Sequence, residues 1–282
     1  MTNKILTLVL GLAIIQTGCN VNTNSDKVTE NLLKEEADTT KINEQAEFQF
    51  DLTIANIPAP YRILEEVQKA EIKFNKDLVN PLTKAETYTT DRQKALNFGV
   101  YGVDLGYLAI YNQNQDVIEY FNTTRNIAKE VGAGPHFDDI AGSIQLDKSL
   151  GDPDQILTLI DKAYSASDSY LKSNKRLISA TNMLVGGWIE SQYIATHSLK
   201  GKKKDKKTEA VFNKVSEQKN YGESILKLLA DLKAEEGMQE LHDKIQGLVE
   251  IYRTVDMEAG VTNEQVGKLA AKLTEIREFI TK

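Results

Sequence analysis

The sequence predicts an all-α protein: an array of about eight helices in antiparallel hairpins, a repeat-like helical stack, preceded by a lipoprotein signal and a flexible tether. Three observations lead there. Helix caps and breakers punctuate the chain after Pro58 at helix-length intervals. The segments between them carry apolar residues three and four positions apart. Only five prolines are spread over 282 residues, which favours long regular elements.

Residues 1–18 have the form of a secretory signal. Lys4 supplies the basic start, Ile5 to Ile15 the apolar stretch, and Gln16-Thr-Gly18 a small-residue exit before Cys19, the sole cysteine. The segment resembles a bacterial lipoprotein signal, in which a diacylglyceryl group is attached to the cysteine and the chain is cut before it. Gln16 departs from that pattern, where leucine is usual. The resemblance implies lipidation at Cys19; the bland alternative is an ordinary cleaved signal with an incidental cysteine. One cysteine excludes an intramolecular disulfide and a thiolate metal cluster.

Removal of residues 1–18 takes away Lys4 alone among the charged residues, leaving 33 basic against 41 acidic residues. An acidic chain of this kind is no dedicated nucleic-acid binder. Residues 19–57 read as the lipidated cysteine, a polar tether to about Glu47, and an extended arm in which Phe48, Phe50, Leu52 and Ile54 alternate with polar residues. Residues 58–282 form the helical domain.

Pro58 and Pro60 open its first helix, whose face would be Ile63, Val67, Ala70, Phe74 and Leu78, ending at Asn80-Pro81. Thr90 and Gln93 form a capping box for the central helix, which runs to about Asn112. Its run LNFGVYGVDLGYLAIY is too short and, with Asp104, too polar for a bilayer. Gly99, Gly102 and Gly106 share one side, and Asn97, Asp104 and Tyr111 the other. Three interior glycines on one face predict the close approach of a neighbouring helix backbone. Asn114 is placed to cap a fourth-turn-patterned helix ending at Gly132-Ala-Gly134-Pro135. A short helix from Asp138 to about Ser149 follows. Asp152-Pro153-Asp-Gln155 then starts another, to about Lys172. A second strongly apolar helix carries MLVGGWIESQYIAT to about Leu199. The basic run 200–207 is a loop that either touches acidic groups or simply connects helices in water. Amphipathic helices are expected over 208–234, 237–258 and, after the capping box of Thr262 and Gln265, 263–280.

Asp104 to Ala109 and Glu190 to Ala195 echo each other at an offset of 86: acid, two residues, tyrosine, branched aliphatic, alanine. The two apolar segments also resemble blocks of helical envelope lipoproteins from Bacteroidota-type bacteria, over roughly Pro58 to Leu199. That resemblance implies an envelope address, and it brings no activity and no site residues with it.

The catalytic inventory is thin. His136, His197 and His242 lie on separate elements, and no HExxH, GxSxG or GxxxxGK[ST] pattern occurs. The paired Glu-x-x-His spacing of carboxylate dimetal bundles is also absent. No metal or cofactor is expected. The best constellation is a polar cluster of Tyr101, Asp104, Tyr107, Tyr111, Trp188, Glu190, Tyr193 and His197. Carboxylates in so apolar a setting must be paired, hydrogen-bonded or shifted in pKa. They are then either core acids satisfied by tyrosines and loop amides or the lining of a pocket for a small ligand.

These features point to a lipid-anchored protein of the bacterial envelope, in the outer membrane, acting as a non-catalytic binding or scaffolding module. Its expected partners are the membrane and another envelope protein. The competing class is a small-ligand receptor or enzyme built around Asp104 and Glu190.

Overall fold

The computed structural model describes residues 44–143, 152–173 and 175–282. Cys19, the signal and the tether to residue 43 lie outside them, as does the second half of the helix expected to end near Ser149. Ten α-helices and no strand are present among the described residues: α1 (44–56), α2 (Arg62–Lys69), α3 (Asp91–Ile110), α4 (Asn114–Glu130), α5 (Gly134–Ser143), α6 (Pro153–Ser173), α7 (Leu177–Ser198), α8 (Glu209–Asp231), α9 (Met238–Arg253) and α10 (Asn263–Ile280). Two short 3-10 turns, Lys76–Leu78 and Leu82–Thr87, lie between α2 and α3. No helix among the described residues is long and apolar enough to cross a membrane.

The centre is the pair α3 and α7, which make the most extensive helix contact in the body. Every residue from Ala95 to Ile110 is buried. Helices α4 and α6 also pack on α3, while α2, α8 and α10 pack on α7. The glycines explain how close the central pair comes. A Cβ at Gly99 would stand 2.1 Å from the Met183 carbonyl oxygen, and one at Gly186 only 1.9 Å from that of Leu96. The expectation of backbone contact along the whole glycine face is corrected at two positions. At Gly102 the neighbour is the Tyr164 phenol of α6, 2.0 Å from a built Cβ, and at Gly106 it is the Tyr61 side chain.

Both capping boxes are made: the Thr90 and Thr262 hydroxyls accept from the backbone N–H of Gln93 and Gln265, each at 3.2 Å. Asp152 caps α6 through the Gln155 N–H at 3.2 Å. Asn114 does not cap α4; it is the first helical residue, after Gln113.

Two expected elements are overturned. Residues 48–54 are not an extended arm: they belong to α1, which places residues 44–56 in the helical body. Ala46, Phe50 and Thr53 are its buried residues, at helical spacing, while Phe48 and Leu52 are 64% and 42% exposed. The alternation reflected the placing of four apolar residues on two faces of a helix. The helix expected to reach Asn80 instead stops at Lys69. Glu71 turns left-handed at φ 57°, and the Ile72 N–H closes on the Val67 carbonyl at 3.3 Å. Phe74 and Leu78 still reach the core, from a non-helical strap, residues 71–90, laid along α3.

Candidate functional site

A buried strap that is neither helix nor sheet must find partners for its backbone groups elsewhere. Ile72, Leu78, Val79, Asn80 and Tyr88 are all buried; beyond its short 3-10 turns, many of the strap's backbone groups find side-chain partners. From α3, Tyr111 donates to the Ile72 carbonyl at 2.6 Å and Tyr101 to the Pro81 carbonyl at 2.8 Å. The Tyr107 oxygen accepts from the Asn75 N–H at 3.1 Å, and Asp104 Oδ2 from the Asn80 N–H at 3.0 Å. Tyr120 of α4 donates to the Asn80 carbonyl at 2.8 Å, and Arg277 Nη2 of α10 to that of Leu78 at 3.2 Å. Residues 101, 104, 107 and 111 recur at helical spacing, so one face of α3 forms a rail that satisfies the strap.

The charged end of this rail is a triad. Glu190 and Asp104 are both fully buried, and their carboxyls are near enough to act on each other electrostatically. Arg277 grips Glu190 with two bonds, Nε to Oε2 at 2.6 Å and Nη2 to Oε1 at 2.7 Å. Its guanidinium carbon stands 4.3 Å from the Tyr193 ring centroid. Burial pushes the Asp104 carboxyl well above its usual range and the Glu190 charge adds to this; Arg277 and the Asn80 N–H oppose it without prevailing. Burial and the neighbouring Glu190 thus both favour the protonated form of Asp104. Its Oδ1 has no hydrogen-bond partner among the described residues. Burial alone would lower the Arg277 pKa, but the charge and hydrogen bonds of Glu190 outweigh it and hold the guanidinium charged.

The tyrosines gather at the same place for the same reason. Burial raises the pKa of Tyr101, Tyr107, Tyr111 and Tyr120, so each remains a neutral phenol able to donate or accept. Tyr88 accepts from Asn80 Nδ2 at 2.9 Å.

The eight residues singled out in sequence thus fall into four places. Tyr101, Asp104, Glu190 and Tyr193 meet around Arg277. Tyr107 and Tyr111 lie further along α3, in an aromatic cluster with Phe74 at 5.2 and 5.6 Å between ring centroids. Trp188 points away, its indole N–H donating to Gln218 Oε1 at 2.9 Å. His197 stacks on Tyr193 at 4.1 Å and meets the Thr274 hydroxyl at 3.2 Å. Burial lowers the His197 pKa, which favours its neutral form. Sequence reasoning missed Arg277, Asn80, Tyr88 and Tyr120. For Arg277 a signal existed: it stands four residues after Leu273 and three before Ile280, on the core stripe of α10.

Three grooves indent the surface, of about 490, 260 and 190 Å³, and none is lined by Asp104, Glu190 or Arg277. The triad is buried, and none of these three grooves opens onto it. Chemically it can tie α3, α7, α10 and the strap together. The basic run 200–207 is an exposed loop in which Lys207 pairs with Glu71 and Lys204 donates to the Ala259 carbonyl at 2.9 Å. Compared with protein-family models, with curated proteins and with solved structures, the chain matches none significantly.

Proposed function

We propose that this chain is a lipid-anchored protein of the bacterial outer membrane, held through Cys19, whose helical body serves as a non-catalytic binding or scaffolding module for another envelope protein. The observation that carries the non-catalytic part is the closure of the acidic site: Asp104 and Glu190 are 0% exposed and Glu190 is paired with Arg277, so the best constellation in the sequence serves the fold. The anchor rests on the signal grammar of residues 1–19 and on Cys19 being the sole cysteine. The likeness of the Pro58–Leu199 region to envelope lipoproteins supports the address. Within this reading the body is a repeat-like array of antiparallel hairpins, with α3 and α7 as the echoing helices.

Metabolic labelling with an alkyne fatty acid, followed by membrane fractionation, tests the anchor. The wild type should carry label, sediment with the outer membrane and co-purify with an envelope protein in fixed ratio, and Cys19→Ser should appear unlabelled in the soluble fraction. An unlabelled wild type that stays soluble and purifies alone would overturn the proposal.

A further inference from the structure

The largest of these three grooves, about 490 Å³, lies on the side of α3 away from the acidic triad. That volume is in the range of small-molecule sites. Its lining includes Gly99, Gly102 and Gly187, and Ile57, Val103 and Met183 make its walls apolar. The α6 wall brings the only charged residues that line it, Asp161 and Asp168.

The two acids differ in what they have to bond with. Asp161 receives the Tyr61 hydroxyl. Asp168 Oδ1 is buried and has no hydrogen-bond partner among the described residues. The nearest cation, Lys172, one turn further along α6, is engaged by both oxygens of Asp51 on α1. A carboxylate oxygen withdrawn from water with no donor is costly, so the groove wall holds an unmet acceptor.

We propose that this groove binds an amphiphilic organic amine, with its ammonium N–H on Asp168 and its apolar body along the apolar walls. Charge complementarity selects the class: the lining offers two carboxylates and no lysine, arginine or histidine, which repels anions and attracts a cation. A bare metal ion is excluded by spacing. Asp161 and Asp168 are seven residues apart on one helix, so their Cα atoms are separated by about 10 Å, whereas an oxygen-ligated cation needs several ligands within about 2.6 Å. The apolar walls call for a hydrocarbon or aromatic body beside the charge.

The groove lies within the helical body, so its test is independent of the lipid anchor. Full-length purified protein, with titrations into buffer alone as control, is titrated calorimetrically at pH 8 with 4-phenylbutylamine and with the uncharged 4-phenylbutan-1-ol. The amine should bind at least about tenfold more tightly than the alcohol, because only the amine makes a charge-assisted bond. Asp168→Asn should abolish that preference while leaving the helical circular dichroism unchanged, and Asp154→Asn, at the start of the same helix, should keep it. Equal binding of amine and alcohol, an amine preference that survives in Asp168→Asn, or no saturable amine binding at millimolar concentration would each overturn the proposal.

Discussion

Arg277 carries a charge into a core that already holds two carboxyl groups. Removing the Glu190 carboxylate would leave the guanidinium 12% exposed at its side chain and without its anion. Glu190→Leu should therefore cost about 3–5 kcal/mol, read from denaturant unfolding. Asp104 behaves differently because burial favours its protonated form. Asp104→Asn can still accept from the Asn80 N–H, so its stability should stay near wild type, whereas Asp104→Leu leaves the Asn80 N–H unpaired and should cost about 1–3 kcal/mol. An Asn variant as damaged as the Leu variant would mean that Asp104 is ionised. The acids were legible in the sequence because each interrupts an apolar run; Arg277 was not, because on an amphipathic helix it is one charge among many. Asp168 yields a pH prediction. Burial pushes its carboxyl up to about 7, with Lys172 opposing and Asp51 adding. The unfolded chain releases this proton near pH 4, so the folded state binds more protons between about pH 4 and 7 and stability falls as pH rises through that window. Asp168→Asn removes the penalty. Its Tm should match wild type near pH 4 and exceed it at pH 8, by a margin worth at most about 4 kcal/mol. A difference independent of pH would show that Asp168 is not the titrating group.

At the scale of elements, two adjacent glycines in α7 separate close approach from simple helix propensity. A Cβ at Gly186 meets a backbone carbonyl at 1.9 Å, while one at Gly187 finds its nearest neighbours at 3.5 Å, ordinary contact. Gly186→Ala should force the central pair apart and lower stability by about 1–3 kcal/mol. Gly187→Ala should raise it by about 0.5–1 kcal/mol, the usual gain of alanine over glycine within a helix. Thermal melts that shift the same way for both would remove the close approach as the reason for the glycines. Helices with caps and stripes were readable because those signals are local. The two failures share the opposite property. Period-two alternation across four residues of α1 is too short to exclude a helix, in which Phe50 and Ile54 are also neighbours. The end of α2 is made by Glu71 in a left-handed conformation, a position where glycine would have marked the stop. What holds the strap in place is a set of tyrosines and charged groups twenty or more residues away, so no short window of sequence contains both.

Across the whole molecule, the last residues of the chain close the centre. Asn97 of α3 donates to the Ile280 carbonyl at 2.7 Å, Gln93 to that of Lys282 at 3.1 Å, and Lys84 of the strap to that of Thr281 at 3.1 Å. With Arg277, these bonds join the C-terminus to the start of α3, to α7 and to the strap. A chain ended after Ile276 loses all of them and leaves Glu190 as a buried anion without its counter-charge, which is costly whatever α10 itself contributes. The effect should therefore appear far from the cut. In hydrogen exchange, the slow amides of α3 and α7 and those of Asn75 and Asn80 in the strap should lose protection together, with Tm falling as one cooperative transition. Loss of protection confined to α10, with α3 and α7 still slow, would show that the triad is an ornament on a core that stands without it.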